Sequence, residues 1–327
     1  MPPLFPLVLA FFAVAVTLCF VTLAQPQPIP ASGRWRDRLI WPLLLLGVLA
    51  QAFDIAWLCL HGQHPGSSAR EAIYFASWLM LLSLTGLTLR PPLRNHHALL
   101  GALLLPVALV MDVLVRVVPI GHGGPERLSG DLAGHVEPRL ITAHIFSATL
   151  GTALFGIAAA CGVLYLLSER RLRRRGIGQS GAHAGLAAGS GSVRATDAAA
   201  ASASGSRPVP SWRGPSLETL DSWNQRSIAF GMLAFTAALI SGTSWLIRVA
   251  AERGIGQGNL LSVAGYLFAQ SRYGLAVMTW LIYAGLLLGR AAFGLRGRRA
   301  ARLTIVGFLM ALGVLFVYFA RDLQAQP

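Results

Sequence analysis

The sequence predicts an all-α, polytopic membrane helical bundle of about eight transmembrane helices, and three observations carry that prediction. Hydrophobic residues make up 54% of the 327 and charged residues only 12%, a balance far too apolar for a soluble chain of this length. The apolar residues fall into runs of roughly 20, the number needed to cross about 30 Å of hydrocarbon. All 27 cationic residues are arginine, and they cluster in the turns between alternate runs, the bias that marks cytoplasmic loops.

Taken in order, residues 4–24 form the first span; they lack the basic leading region of a signal peptide and are read as a retained helix. QPQPIPASGRWRDR brings three arginines, and the second span follows over 39–60. The third covers 71–89 and the fourth 97–118, separated by RPPLRNHH, whose prolines break the helix and whose arginines keep the turn inside. A Gly-rich external loop bearing His122 and His135 leads into the fifth span, 141–167, which ends in SERRLRRR. Residues 176–215 are Gly, Ala and Ser with scattered proline, too poor in large apolar groups to build a core, and read as a disordered cytoplasmic linker. Spans at 227–249, 273–293 and 303–319 complete the set, with GLRGRRAAR as a further internal turn. One integral membrane domain results, with helices 1 to 5 in residues 1–175, helices 6 to 8 in 216–327, and both termini on the outer side.

Several function classes fall away. The net charge of +14 is explained by topology, since the arginines do not line an aromatic-studded polar surface as in nucleic-acid binders. With no lysine in the chain, a Schiff-base lysine and a Walker-type phosphate loop are excluded. Cys19, Cys59 and Cys161 all sit in apolar runs without CxxC or CxxCH spacing, which argues against a thiol oxidoreductase and against a c-type cytochrome. Neither a nucleophile elbow nor a metalloprotease helix is present, and no internal repeat supports an inverted-repeat transporter.

The fifth span carries the most informative ionisable group, His144. Stepping at helical period from it gives Ala148, Gly151, Phe155, Ala158 and Gly162, a face of mostly small residues headed by an imidazole. Two readings stand side by side. Small residues let helices approach closely, or the strip admits a planar cofactor with neutral imidazole as axial metal ligand. Arg139, Arg248 and Arg272 near the external face would suit haem propionates, and His61, His64, His122 and His135 lie at the same surface. His96 and His97 belong to the inner surface and His183 to the linker. Asp54, and Asp112 with Arg116 four residues on, are the remaining groups near membrane depth, read either as snorkelling and simple ion pairing or as a polar cavity.

Three segments carry a family resemblance: AHIFSATLGTALFGIAAACGVLYLLSERRLRRR, then PSLETLDSWNQRSIAFGMLAFTAALISGTSW, then TWLIYAGLLLGRAAFGLRGRRAARLTIVGFL. Together with EAIYFASWLMLL they resemble the CcsA-type cytochrome c assembly family, in its short YpjD and HemX-like branch, over most of the chain from Glu71 onward. The resemblance implies haem handling at a bacterial inner membrane, with haem b as cofactor and other cytochrome c assembly membrane proteins as partners. His144 matches the family's first external haem-ligand histidine, and Arg296, Gly297, Arg298 and Arg299 match its WRGRR turn, with Leu295 in place of the tryptophan.

Departures from the family pattern narrow the expectation. The tryptophan-rich loop ending in a WDPKE-like string is absent between Trp245 and Trp280, although a GAIW-like string survives at Ser241 to Trp245. Complete haem-ligase activity by this chain alone is therefore not expected. Where many short relatives open the seventh span with histidine, this chain has Ser271, Arg272 and Tyr273. The expected cofactor set is thus His144 as axial ligand, His122 or His135 as candidates for the second, and Arg139 and Arg272 for the propionates. A non-catalytic membrane scaffold and a small-molecule permease using Asp54, Asp112 and Arg116 are the alternatives.

Overall fold

In the computed structural model, residues 3–24, 34–62, 69–89, 97–117, 138–187, 215–252 and 260–324 are described. Among them the chain is helical throughout, and this is a multi-pass membrane protein. The helices are α1 (Phe5–Ala24), α2 (Arg34–Leu60), α3 (Ala69–Thr88), α4 (His97–Val117), α5 (Pro138–Ala187), α6 (Leu217–Glu252), α7 (Leu260–Ala269), α8 (Ser271–Phe293) and α9 (Arg298–Gln324). All but α7 and α9 contain a span long and apolar enough to cross a membrane, and α9 encloses the eighth expected span, 303–319. Large apolar side chains such as Phe230, Leu233, Ile240 and Leu288 face outward, as helices surrounded by acyl chains require.

α5 is the shared wall of the bundle. One core joins α1 to α4 with Ala153, Ile157, Ala160, Cys161 and Leu164 of α5; a second joins α6, α8 and α9 to Phe155, Ala158 and Ala159. A helix buried on two faces needs small residues on both, which explains a run as rich in Ala and Gly as this one. The strip below His144 is filled accordingly. A side chain at Gly151 would meet the Phe235 amide at 3.1 Å, and one at Gly162 the Ala301 carbonyl at 3.1 Å. At Gly151 and Gly162 the strip is thus a helix-packing surface, met by α6 and α9.

Two boundaries differ from expectation. The backbone of α5 stays helical to Ala187, inside the stretch read as linker, while residues 188–214 lie outside the described residues. The short α7 is followed by Gln270, whose carbonyl accepts the amides of Tyr273 and Gly274 and so starts α8 at once. The α8–α9 turn needs glycine twice: Gly294 (φ +61°) lets the Leu295 amide reach back to the Gly289 carbonyl, and Gly297 (φ +69°) precedes α9.

Candidate functional site at the outer end of the fifth helix

His144 lies in the second turn of α5, far from the arginine-rich inner end of that helix. Its imidazole rests against α6, with Nδ1 2.8 Å from the Ala238 carbonyl and 3.3 Å from Ser241 Oγ. A carbonyl only accepts, so Nδ1 carries the proton and Nε2 keeps the lone pair. That nitrogen has no hydrogen-bond partner among the described residues. Close contact with α6 is possible because residue 242 is glycine: a Cβ there would stand 2.8 Å from His144 Cε1 and 3.2 Å from Nδ1. A ring nitrogen fixed by a backbone carbonyl, with the other nitrogen left as donor, is the arrangement of an oriented metal-ligating histidine.

An oriented neutral imidazole above the filled strip is a donor of the kind that would suit a haem iron. No cluster of three or more His, Cys, Asp or Glu suited to a bare metal ion occurs among the described residues. His61 instead hydrogen-bonds through Nδ1 to the Trp57 carbonyl and lies exposed against the Trp57 ring. His64, His96, His122 and His135 lie outside the described residues, as do the side chains of Arg116, Arg139, His183 and Arg272. The backbone places residues 139 and 272 in the first turns of α5 and α8, and Arg248 is exposed two turns beyond Ser241 on the same face of α6.

Asp54 and Asp112 do not snorkel; both are wholly buried. Asp54 accepts the Leu4 amide at 2.8 Å and lies 3.5 Å from the Tyr74 hydroxyl. Asp112 accepts from Ser77 and from Gln51 Nε2 at 3.3 Å, while Gln51 also donates to Ser77 Oγ at 2.8 Å. These bonds tie α1 to α4 together. Their length scale is that of interhelical bracing, which keeps buried polar atoms supplied with partners.

The Cytochrome C assembly protein family model matches residues 67–324. The chain belongs to this family. It is similar to the cytochrome c biogenesis protein CcsA of Pyropia yezoensis, 24% identical over 93% of this chain and 91% of the relative. CcsA of Porphyra purpurea is likewise 24% identical, over 93% and 90%. No solved structure matches the chain significantly.

In this cytochrome c assembly protein, two of the segments that carried the resemblance meet in space at the inner end. Asn224 of PSLETLDSWNQR is buried between α5, α8 and α9. Its Nδ2 donates to the Ala158 carbonyl at 2.7 Å, and its Oδ1 accepts from Arg290 Nη2. Arg290 also pairs with Asp221 at 3.3 Å, and Thr304 stands 3.3 Å from Asn224 Nδ2. Arg290 is nine-tenths buried, with Nε and Nη1 lacking partners among the described residues. Sequence reasoning passed over Arg290, although the signal was there: a charge inside LLLGRAAF, the same kind of observation that drew attention to Asp54.

Proposed function

We propose that this family member binds haem b at its outer face through His144 Nε2 and holds it for cytochrome c biogenesis in a bacterial inner membrane. The observation that carries this reading is the donation of Nδ1–H to the Ala238 carbonyl, which presents Nε2 as a ready ligand in a chain of the cytochrome c assembly family. Bound haem would supply the iron that His144 Nε2 holds. The chain's own residues do the rest: Ala238 fixes the tautomer, Gly242 admits the ring, and Arg248, Arg139 and Arg272 stand at the outer ends of three helices, where carboxylates of a ligand are paired by guanidinium groups. Without a tryptophan-rich presenting loop the chain holds haem and does not by itself attach it, so delivery depends on other assembly proteins in the membrane.

Two substitutions test this. Detergent-purified wild-type protein should give a Soret band, oxidised and dithionite-reduced, that His144→Ala abolishes while the helical signal in circular dichroism is unchanged. A wild type that stays colourless after haem loading sinks the reading and leaves a scaffold, recognisable by copurifying assembly proteins without pigment. Gly242→Val keeps every donor but drives a side chain into the imidazole. We expect haem affinity to fall at least tenfold, about 1.4 kcal/mol, and a titration equal to wild type would show that the close approach of α6 is not what orients His144.

A further inference from the structure

On α6 and α8, which run antiparallel, Trp280 Nε1 donates to Thr236 Oγ1 at 2.9 Å, and Thr243 Oγ1 donates to the Tyr273 hydroxyl at 3.2 Å. The two contacts are seven residues apart on each helix, so they are one seam repeated two turns nearer the outer surface. Depth is set by a second contact. The rings of Phe155 on α5 and Tyr283 on α8 stack at 3.8 Å. From that level His144 lies eleven residues outward on α5 and Tyr273 ten residues outward on α8, about 16 and 15 Å at ~1.5 Å per residue. The imidazole and the phenol therefore reach the same depth. They also lean on the same turn of α6, His144 on Ser241 and Gly242 and Tyr273 on Thr243.

We propose that Tyr273 is the second protein ligand of the site, making it a histidine–tyrosinate haem site. This rests on the haem reading above. Tyr273 Oη accepts from Thr243 at 3.2 Å, which leaves a second lone pair on the phenol oxygen. The Phe268 ring packs edge-on against the Tyr273 ring at 5.8 Å and steadies its orientation from α7. Tyrosine oxygen is an established haem-iron donor type. In the ligation step an O–H bond breaks and an O–iron bond forms, the proton passes to water at the outer face, and no electron is transferred. A phenolate donor favours ferric over ferrous iron, so the site would hold haem in its oxidised form.

The test uses the full-length protein in detergent, loaded with ferric haem, as wild type, Tyr273→Phe, Tyr273→His, His122→Ala and His135→Ala. Resonance Raman spectra of the wild type should show iron–phenolate modes. Tyr273→Phe should lose them and keep a His144-dependent Soret band, and Tyr273→His should give a low-spin b-type spectrum with a higher midpoint potential. Unchanged thermal midpoints for Tyr273→Phe exclude a folding effect. A Tyr273→Phe spectrum identical to wild type, or loss of the second ligand in His122→Ala or His135→Ala, overturns the assignment of Tyr273 while the haem reading stands. A wild type that takes up no haem overturns both.

Discussion

Asn224→Leu should cost the protein about 1.5–3 kcal/mol, the usual consequence of removing a hydrogen bond to a buried charged group. Leucine keeps the branch point of asparagine but is bulkier, so overpacking between α5, α8 and α9 adds to the electrostatic loss. Arg290 Nη2 would keep only the Asp221 carboxylate, 3.3 Å away, while Nε and Nη1 already lack partners among the described residues. The midpoint of thermal unfolding in detergent should drop by many degrees. The decisive control is Asn224→Leu with Arg290→Met, in which the charge is gone as well; it should recover much of the loss, as apolar replacements of buried ionic groups often do. A single mutant as stable as wild type, or a double mutant that merely adds two losses, would refute this account of the inner cluster.

Gly151→Leu is expected to be equally damaging for a different reason. A Cβ at 151 meets Phe235 N and Cβ at 3.1 Å and the Gly231 carbonyl at 3.2 Å. Two of these three atoms belong to backbone and cannot rotate away. A branched side chain there must push α5 off α6, at about 1–3 kcal/mol or more, and it acts two turns below His144. Stability and haem binding should therefore fall together, the second because the bond to Ala238 spans the same interface. Gly285 provides the contrast: nothing lies within 4 Å of its Cβ direction, so Gly285→Ala should be neutral or stabilising by up to about 1 kcal/mol through helix propensity. If Gly151→Leu retained both the unfolding midpoint and the Soret band, α5 and α6 would not pack as described.

The contrast between these two glycines shows what a single chain of letters conceals. Both stand in apolar runs, and only the neighbouring helix distinguishes them. His144 was legible because an imidazole in a membrane span is conspicuous on its own. Its tautomer was not, since the carbonyl that sets it belongs to Ala238, 94 residues away. Asp54 and Asp112 were noticed for the same reason as His144, but a reading of their helices alone left snorkelling and a polar cavity equally open. Their burial depends on Gln51, Ser77 and Tyr74, ordinary residues until α2, α3 and α4 are brought together.

By itself the sequence determined the helical class, the position of the spans, and the segments that place the chain in its family. These follow from hydropathy and charge summed along short stretches, which each helix carries independently of its neighbours. Only the tertiary structure decided that α5 is the common wall, that its small residues are filled by α6 and α9, and that Asn224 meets Arg290. It also put Tyr273 level with His144. Each of these depends on which helix lies beside which, and a polar group buried in a bundle takes its meaning from the partner that replaces water.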